Sequence, residues 1–157
     1  MLAKIISGGQ TGADRAALDF AITRGLPHGG WCPRGRLAED GVIEACYQLT
    51  ETPDADPTQR TEWNVRDSDG TVIFSLAPTL SGGSWLAAQF ASQQHKPCLH
   101  LSRERDAALA AKKLRDFLVE HRINVLNVAG PRESEEPLVG RFVHEVLEKL
   151  AAKDAKP

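Results

Sequence analysis

The chain has 157 residues, 41% of them hydrophobic, enough for one domain that buries roughly two thirds of its unfolded surface. Nineteen Lys and Arg against 21 Asp and Glu leave a formal charge of −2, which argues against non-specific nucleic-acid binding through a basic face. Cys32, Cys46 and Cys98, odd in number and widely spaced, make neither a disulfide framework nor a zinc pattern, as in a reducing cytosol. No apolar run approaches membrane-spanning length and no secretory leader is visible, so a cytoplasmic protein without membrane contact is expected.

Leu2 to Ile6 read as a first strand that runs straight into Gly8, Gly9 and Gly12, and residues 13–24 read as a helix stopped by Gly25 and Pro27. Such glycines let the backbone turn sharply and approach a ligand, and the free amides at the helix start favour an anion. The spacing is neither Gly-x-Gly-x-x-Gly nor followed by Gly-Lys-Ser/Thr, so dinucleotide dehydrogenases and nucleoside triphosphatases gain little support. A turn that merely joins strand to helix is the alternative.

Residues 26–57 read as loop, with short extended pieces near 29–32 and 46–50. Within them Trp31 offers a face for stacking a heterocycle and Arg34 a forked donor for phosphate, while Arg36 reads as a surface-loop residue. A helix is predicted over Thr58–Asp69, where Arg60, Asn64 and Asp67 fall at i, i+4 and i+7 on one face. Thr71–Leu76 is the clearest strand. Ser81, Gly82, Gly83 and Ser84 then open a helix over 84–95 that stops before Pro97. A strand over Cys98–Leu101, a helix over 105–121 and a strand over Ile123–Val128 follow. After them come Gly130-Pro131, a turn that presents Arg132, and a helix over 138–152. The single domain is expected to span 1–152, with a frayed tail over 153–157.

Apolar strands alternating with helices argue for an α/β fold with an open parallel sheet covered on both faces. Ligands then bind beyond the carboxyl ends of the strands, at loops 7–13, 77–84 and 129–137. Two glycine turns ahead of helices and an arginine-bearing turn at one edge point to a phosphorylated small molecule. His95, His100, His121 and His144 are scattered, with no nucleophile at a telling distance, and Ser7, Ser81 and Ser84 lie outside Gly-x-Ser-x-Gly. No catalytic residue and no metal ligand is assigned.

Four segments in order carry a resemblance: Ser7–Arg15, His28–Arg36, Thr61–Gly70 and Asn127–Ser134. They resemble the molybdenum-cofactor carrier proteins, within a Rossmann-like superfamily that includes the lysine-decarboxylase-like, cytokinin-activating nucleotide hydrolases. The resemblance covers nearly the whole chain. It implies a Rossmann-like fold, a homo-oligomer (dimer or tetramer), and molybdenum cofactor (molybdopterin) or a related nucleotide as ligand. A molybdoenzyme is then a candidate acceptor. It also implies ligand contacts at Gln10, Thr11, Asp14 and Arg15 beside those above. The hydrolase relatives end a Pro-Gly-Gly-x-Gly-Thr-x-x-Glu signature on a catalytic carboxylate. This chain keeps two of those three glycines in Ser81-Gly-Gly-Ser-Trp-Leu-Ala-Ala-Gln89, but Trp85 replaces the third and Gln89 falls where the glutamate would be. An amide is no general base, and losing such a group costs on the order of a hundredfold in rate. A carrier without turnover is therefore expected. A nucleotide-sensing module is one alternative, and a nucleoside 5′-monophosphate hydrolase using Asp14 or Asp67 is another. With no soft thiolate cluster, molybdenum would arrive on its cofactor.

Overall fold

The computed structural model describes residues 2–154. A five-stranded central sheet is built from β1 (Lys4–Ile6), β2 (His28–Gly29), β7 (Gly70–Ser75), β8 (Cys98–Ser102) and β9 (Val125–Ala129). Its order is β2-β1-β9-β7-β8 and every pairing is parallel. All six residues of β7 are buried, as a strand covered on both faces requires. The open parallel sheet expected from the pattern is the sheet observed.

The helices are α1 (Ala13–Arg24), α2 (Pro57–Arg66), α3 (Gly82–Gln93), α4 (Arg103–Asp106), α5 (Ala110–Glu120) and α6 (Val139–Asp154). Helices α1, α5 and α6 bury Phe20, Leu114, Phe117, Phe142 and Leu147 against Ile5, Val72, Phe74, Leu101, Leu126 and Val128 of the sheet. Strand alternation turns Thr71, Ile73, Ser75 and Asn127 to the other face, which α3 covers with α2 packed beside it. That face is the more polar one, and Asn127 Nδ2 donates to Thr71 Oγ1 across it at 3.1 Å.

The strand order has a simple origin. If β9 and α6 stood first in the chain, the five strands would read 3-2-1-4-5, the order of a doubly wound nucleotide-binding half. Here the strand of rank one is made last and inserts at the centre. The point where connections leave toward opposite sides therefore lies between β9 and β7.

Four segments depart from expectation. The 26–57 excursion holds a parallel pair, β3 (Trp31–Cys32) with β6 (Thr50–Glu51), and a hairpin, β4 (Leu37–Ala38) with β5 (Gly41–Val42). Arg36 organises it. Its guanidinium donates to the carbonyls of Ile43 (3.2 Å), Leu49 (3.2 Å), Glu44 (2.8 Å) and Tyr47 (2.9 Å), so the residue read as surface loop is a hub. The helix expected over 105–121 is two, because Ser102 caps α4 and the buried Asp106 carboxylate reaches back to Ser102 N at 2.9 Å. Helix α2 stops at Arg66, leaving Asp67 at its C-cap. Helix α6 continues to Asp154, and residues 155–157 of the expected tail lie outside the described residues. Among the described residues no helix is long and apolar enough to cross a membrane.

Candidate functional site

A cleft opens where β9 and β7 part, at the carboxyl edge of the sheet. Its first compartment, about 130 Å³, lies between Asp14 after β1, Arg60 on α2, Ser84 on α3 and the 127–132 segment. A second, about 390 Å³, is bounded by Ser75 and Ala77 after β7, by Ser81, and by Glu136. Ser84, Pro131 and Glu135 line both, so the two are one continuous cleft. The first holds roughly four waters' volume, the size of a phosphate group and little more.

Three backbone turns meet here, and they use their amides differently. At the start of α1, Ala13 N donates to Pro131 O (3.3 Å), Thr11 N to Gln10 Oε1 (3.0 Å) and Gln10 N to Asp14 Oδ2 (3.3 Å). That helix start is largely satisfied from within the protein. After β7, Leu76 N and Ala77 N hold the Glu136 carboxylate. The α3 start differs: Ser81 provides no side-chain cap, and the first hydrogen bond back to it comes from Trp85 N. The amides of Gly82, Gly83 and Ser84 therefore have no partner within the helix. Gly83 and Ser84 face the first compartment.

Arg60 lies across from them with its side chain 13% exposed. Its Nη1 donates to Gly8 O at 3.0 Å and stands 3.7 Å from Asp14 Oδ2. Burial pushes the Asp14 carboxyl above its ordinary range, against the opposing pull of Arg60 and the Gln10 amide. Arg132 pairs with Glu135 at 3.1 Å on the rim. The compartment brings together groups that could receive an anion: amides at a helix start, a held guanidinium, and one carboxyl whose charge is disfavoured.

Of the residues singled out from sequence, Gly8, Gln10, Asp14, Arg60, Asn64 and Gly83 line the first compartment, with Gly130, Pro131 and Arg132. Ser81 lines the second and Ser84 both. The others do not line the cleft. A Cβ on Gly9, at φ +81°, would come 2.6 Å from Leu49, and on Gly12, at φ +80°, 2.5 Å from Pro131 O, so both glycines allow close packing of chain on chain. Gly82 begins α3 at φ +55°. Thr11 bonds Glu39 and accepts from Glu133 N, and Arg15 pairs with Asp40 and donates to Gly9 O at 3.0 Å. Trp31 packs edge-on against Trp63 and donates from Nε1 to Asp67 at 2.7 Å, away from the cleft. Arg34 is exposed. Asn64 lines the compartment, yet both ends of its amide are spent on the Trp31 backbone, at 2.8 and 3.0 Å.

Sequence reasoning passed over Thr61, Asn127, Glu135 and Glu136, which the cleft contains. Asn127 sits mid-strand with no local signal, and Glu135 and Glu136 lie in the 129–137 loop, where nothing in the local sequence marks them. His100, taken as without a nucleophile nearby, has Ser75 Oγ 2.6 Å from Nε2, a cross-strand neighbour that spacing in sequence does not reveal. Burial and the Arg105 charge lower its pKa. No cluster of three metal-ligating side chains occurs among the described residues.

No curated protein sequence matches. The crystal structure of a "Putative molybdenum carrier protein" from Syntrophus aciditrophicus SB superposes with a TM-score of 0.93 at 51% identity. The match covers 95% of this chain and 94% of that one. The family model of the circularly permutated YpsA SLOG family matches residues 5–151, and its description agrees with the strand order derived above. The chain belongs to the circularly permutated YpsA SLOG family.

Proposed function

We propose that the protein is a carrier that binds a phosphorylated heterocycle, a molybdopterin-type cofactor or a related nucleotide, without turnover. The observation that carries the reading is the uncapped start of α3 facing Arg60 in one phosphate-sized compartment. The second compartment, within the size range of small-molecule pockets (about 300–1,000 Å³), then takes the ring. The name of the Syntrophus protein supports the cofactor as cargo. Metal travels on that cargo, since the described residues offer no ligand cluster of their own. In this reading the protein works in the cytoplasm as a homo-oligomer and hands its cargo to a molybdoenzyme. The test is mass spectrometry and metal analysis of small molecules released from purified protein and from Arg60→Ala. A pterin phosphate with molybdenum, present in the wild type and lost in the variant, is expected. Retention of the same load by Arg60→Ala overturns the site.

One observation favours a second reading, hydrolysis of a nucleoside 5′-monophosphate. Of the two carboxylates able to replace the missing glutamate, Asp14 lines the cleft, whereas Asp67 is turned to Trp31 and Arg66. Free base released from nucleoside monophosphates by wild type, and not by Asp14→Asn, would move the assignment to this reading.

A further inference from the structure

The cleft holds one of the protein's own carboxylates in a position built for an anion. Glu136 Oε2 accepts from Ala77 N at 2.8 Å and its two oxygens accept from Leu76 N at 3.1 and 3.2 Å. These amides do not depend on Glu136 for their aim. Ser75 Oγ, itself 2.6 Å from His100 Nε2, donates to Ala77 O at 2.6 Å and closes the 75–77 turn. Leu76 O is fixed from behind by Glu104 N at 3.1 Å. Two convergent amides in a turn form an anion nest whichever oxygens fill it.

The nest borders the second compartment, next to Ser81 and Ser84 at the α3 start. In doubly wound sheets a pyrophosphate lies in this crevice on amides of the flanking loops. Here that second position is filled, and the compartment around it carries Glu135 and Glu136 and, among the described residues, no lysine or arginine. Outside the cleft, the Glu39 carboxylate likewise occupies Ser134 N at 3.2 Å and the Ser134 and Thr11 hydroxyls. The α3 start is left as the open anion position.

We propose that Glu136 is a specificity-determining residue that limits the cleft to a phosphomonoester by occupying the nest a second phosphate would need. The inference rests on the phosphate position assigned above, at Arg60 and the α3 start. A phosphoanhydride entering the cleft must displace the carboxylate from two charge-assisted hydrogen bonds and meet its repulsion. A monoester does neither, so its ring enters the second compartment past Ser81 and Ser84 with Glu136 in place.

The experiment is calorimetric titration of wild type, Glu136→Ala, Glu136→Gln and Arg60→Ala with inorganic phosphate and with pyrophosphate, thermal melts confirming that each is folded. Wild type is expected to bind phosphate at least as tightly as pyrophosphate. Glu136→Ala should tighten pyrophosphate by about tenfold or more, the scale of hydrogen bonds to a charged group, and leave phosphate within about twofold. Glu136→Gln, which drops the charge but keeps one acceptor for the nest, should shift the same way by less. Pyrophosphate affinity unchanged in both Glu136 variants, with phosphate binding intact and dependent on Arg60, overturns this inference alone. Phosphate binding that is absent, or indifferent to Arg60→Ala, overturns it together with the phosphate position beneath it.

Discussion

Asp106 has no exposed side-chain surface and is ringed by donors: Ser102 N at 2.9 Å, Lys113 Nζ at 2.6 Å and the Arg105 guanidinium at 2.8 Å. Above all the Arg105 hydrogen bond, and then Lys113, hold its carboxyl far below the usual range. A depressed folded-state pKa means stability that is present above the unfolded value, about 4, and is lost as pH falls toward the folded one. Asp106→Asn should therefore cost about 1.5 kcal/mol at pH 7, the low end for charged hydrogen bonds because both cations are half exposed. In urea unfolding the gap to wild type should narrow below pH 4. Asp14 runs the other way. Its raised pKa means that ionisation opposes folding, and stability declines as pH rises from about 4 through the folded value. Protonation also frees Arg60 for an incoming anion. Sulfate, whose charge is constant over this range, should bind more tightly as pH falls in wild type and with a flatter profile in Asp14→Asn. Equal slopes by titration would remove Asp14 from the site's electrostatics.

Among the connecting elements, two glycines make opposite predictions. Gly12 turns at φ +80° with Pro131 O only 2.5 Å from where a Cβ would stand, so Gly12→Ala should cost about 1–3 kcal/mol. A Cβ on Gly83 meets open space inside α3, so Gly83→Ala should leave the melting temperature unchanged or raise it by stiffening the unfolded chain. Thermal denaturation of both variants separates packing glycines from cleft-facing ones. That distinction was not legible in the sequence. A Gly-Gly-x-x-Gly turn announces itself locally, but the neighbours that decide its purpose are Leu49 from the excursion and Pro131 from beyond β9. The longer elements were legible because 3.6-residue periodicity in α6 and the consecutive Val72, Ile73 and Phe74 of β7 repeat their signal. Strands β2 to β6 have two residues each, too few for alternation to show. Arg36 was misread for a related reason: its four acceptors are main-chain carbonyls, which any residues can supply.

At the scale of the molecule, alternation of strand and helix was enough to give a parallel sheet, whereas strand order was not readable because pairing partners leave no mark in sequence. The observed order makes a direct prediction. A protein whose residue 154 is joined to residue 2 by a short flexible linker, and whose chain is reopened between His121 and Ile123, would carry its strands in the 3-2-1-4-5 order. The cut falls in an exposed turn between α5 and β9. This permuted chain should fold to the same sheet, with a matching far-ultraviolet spectrum and a cooperative melt. Failure to fold would mean that the present connectivity contributes more than the contacts it joins.

Because β9 lies between β1 and β7, a ribosome making this protein produces two half-sheets first and their keystone last. A nascent chain stalled when it has emerged only as far as α5 holds β2-β1 and β7-β8 with facing edges unpaired and with the sheet surfaces that α6 covers left bare. Such edges invite pairing with other chains, and the stalled species should be cut rapidly by protease and bound by chaperones. Protection should appear in one step once Val125–Ala129 and α6 have emerged, since the same event closes the sheet and completes the cleft.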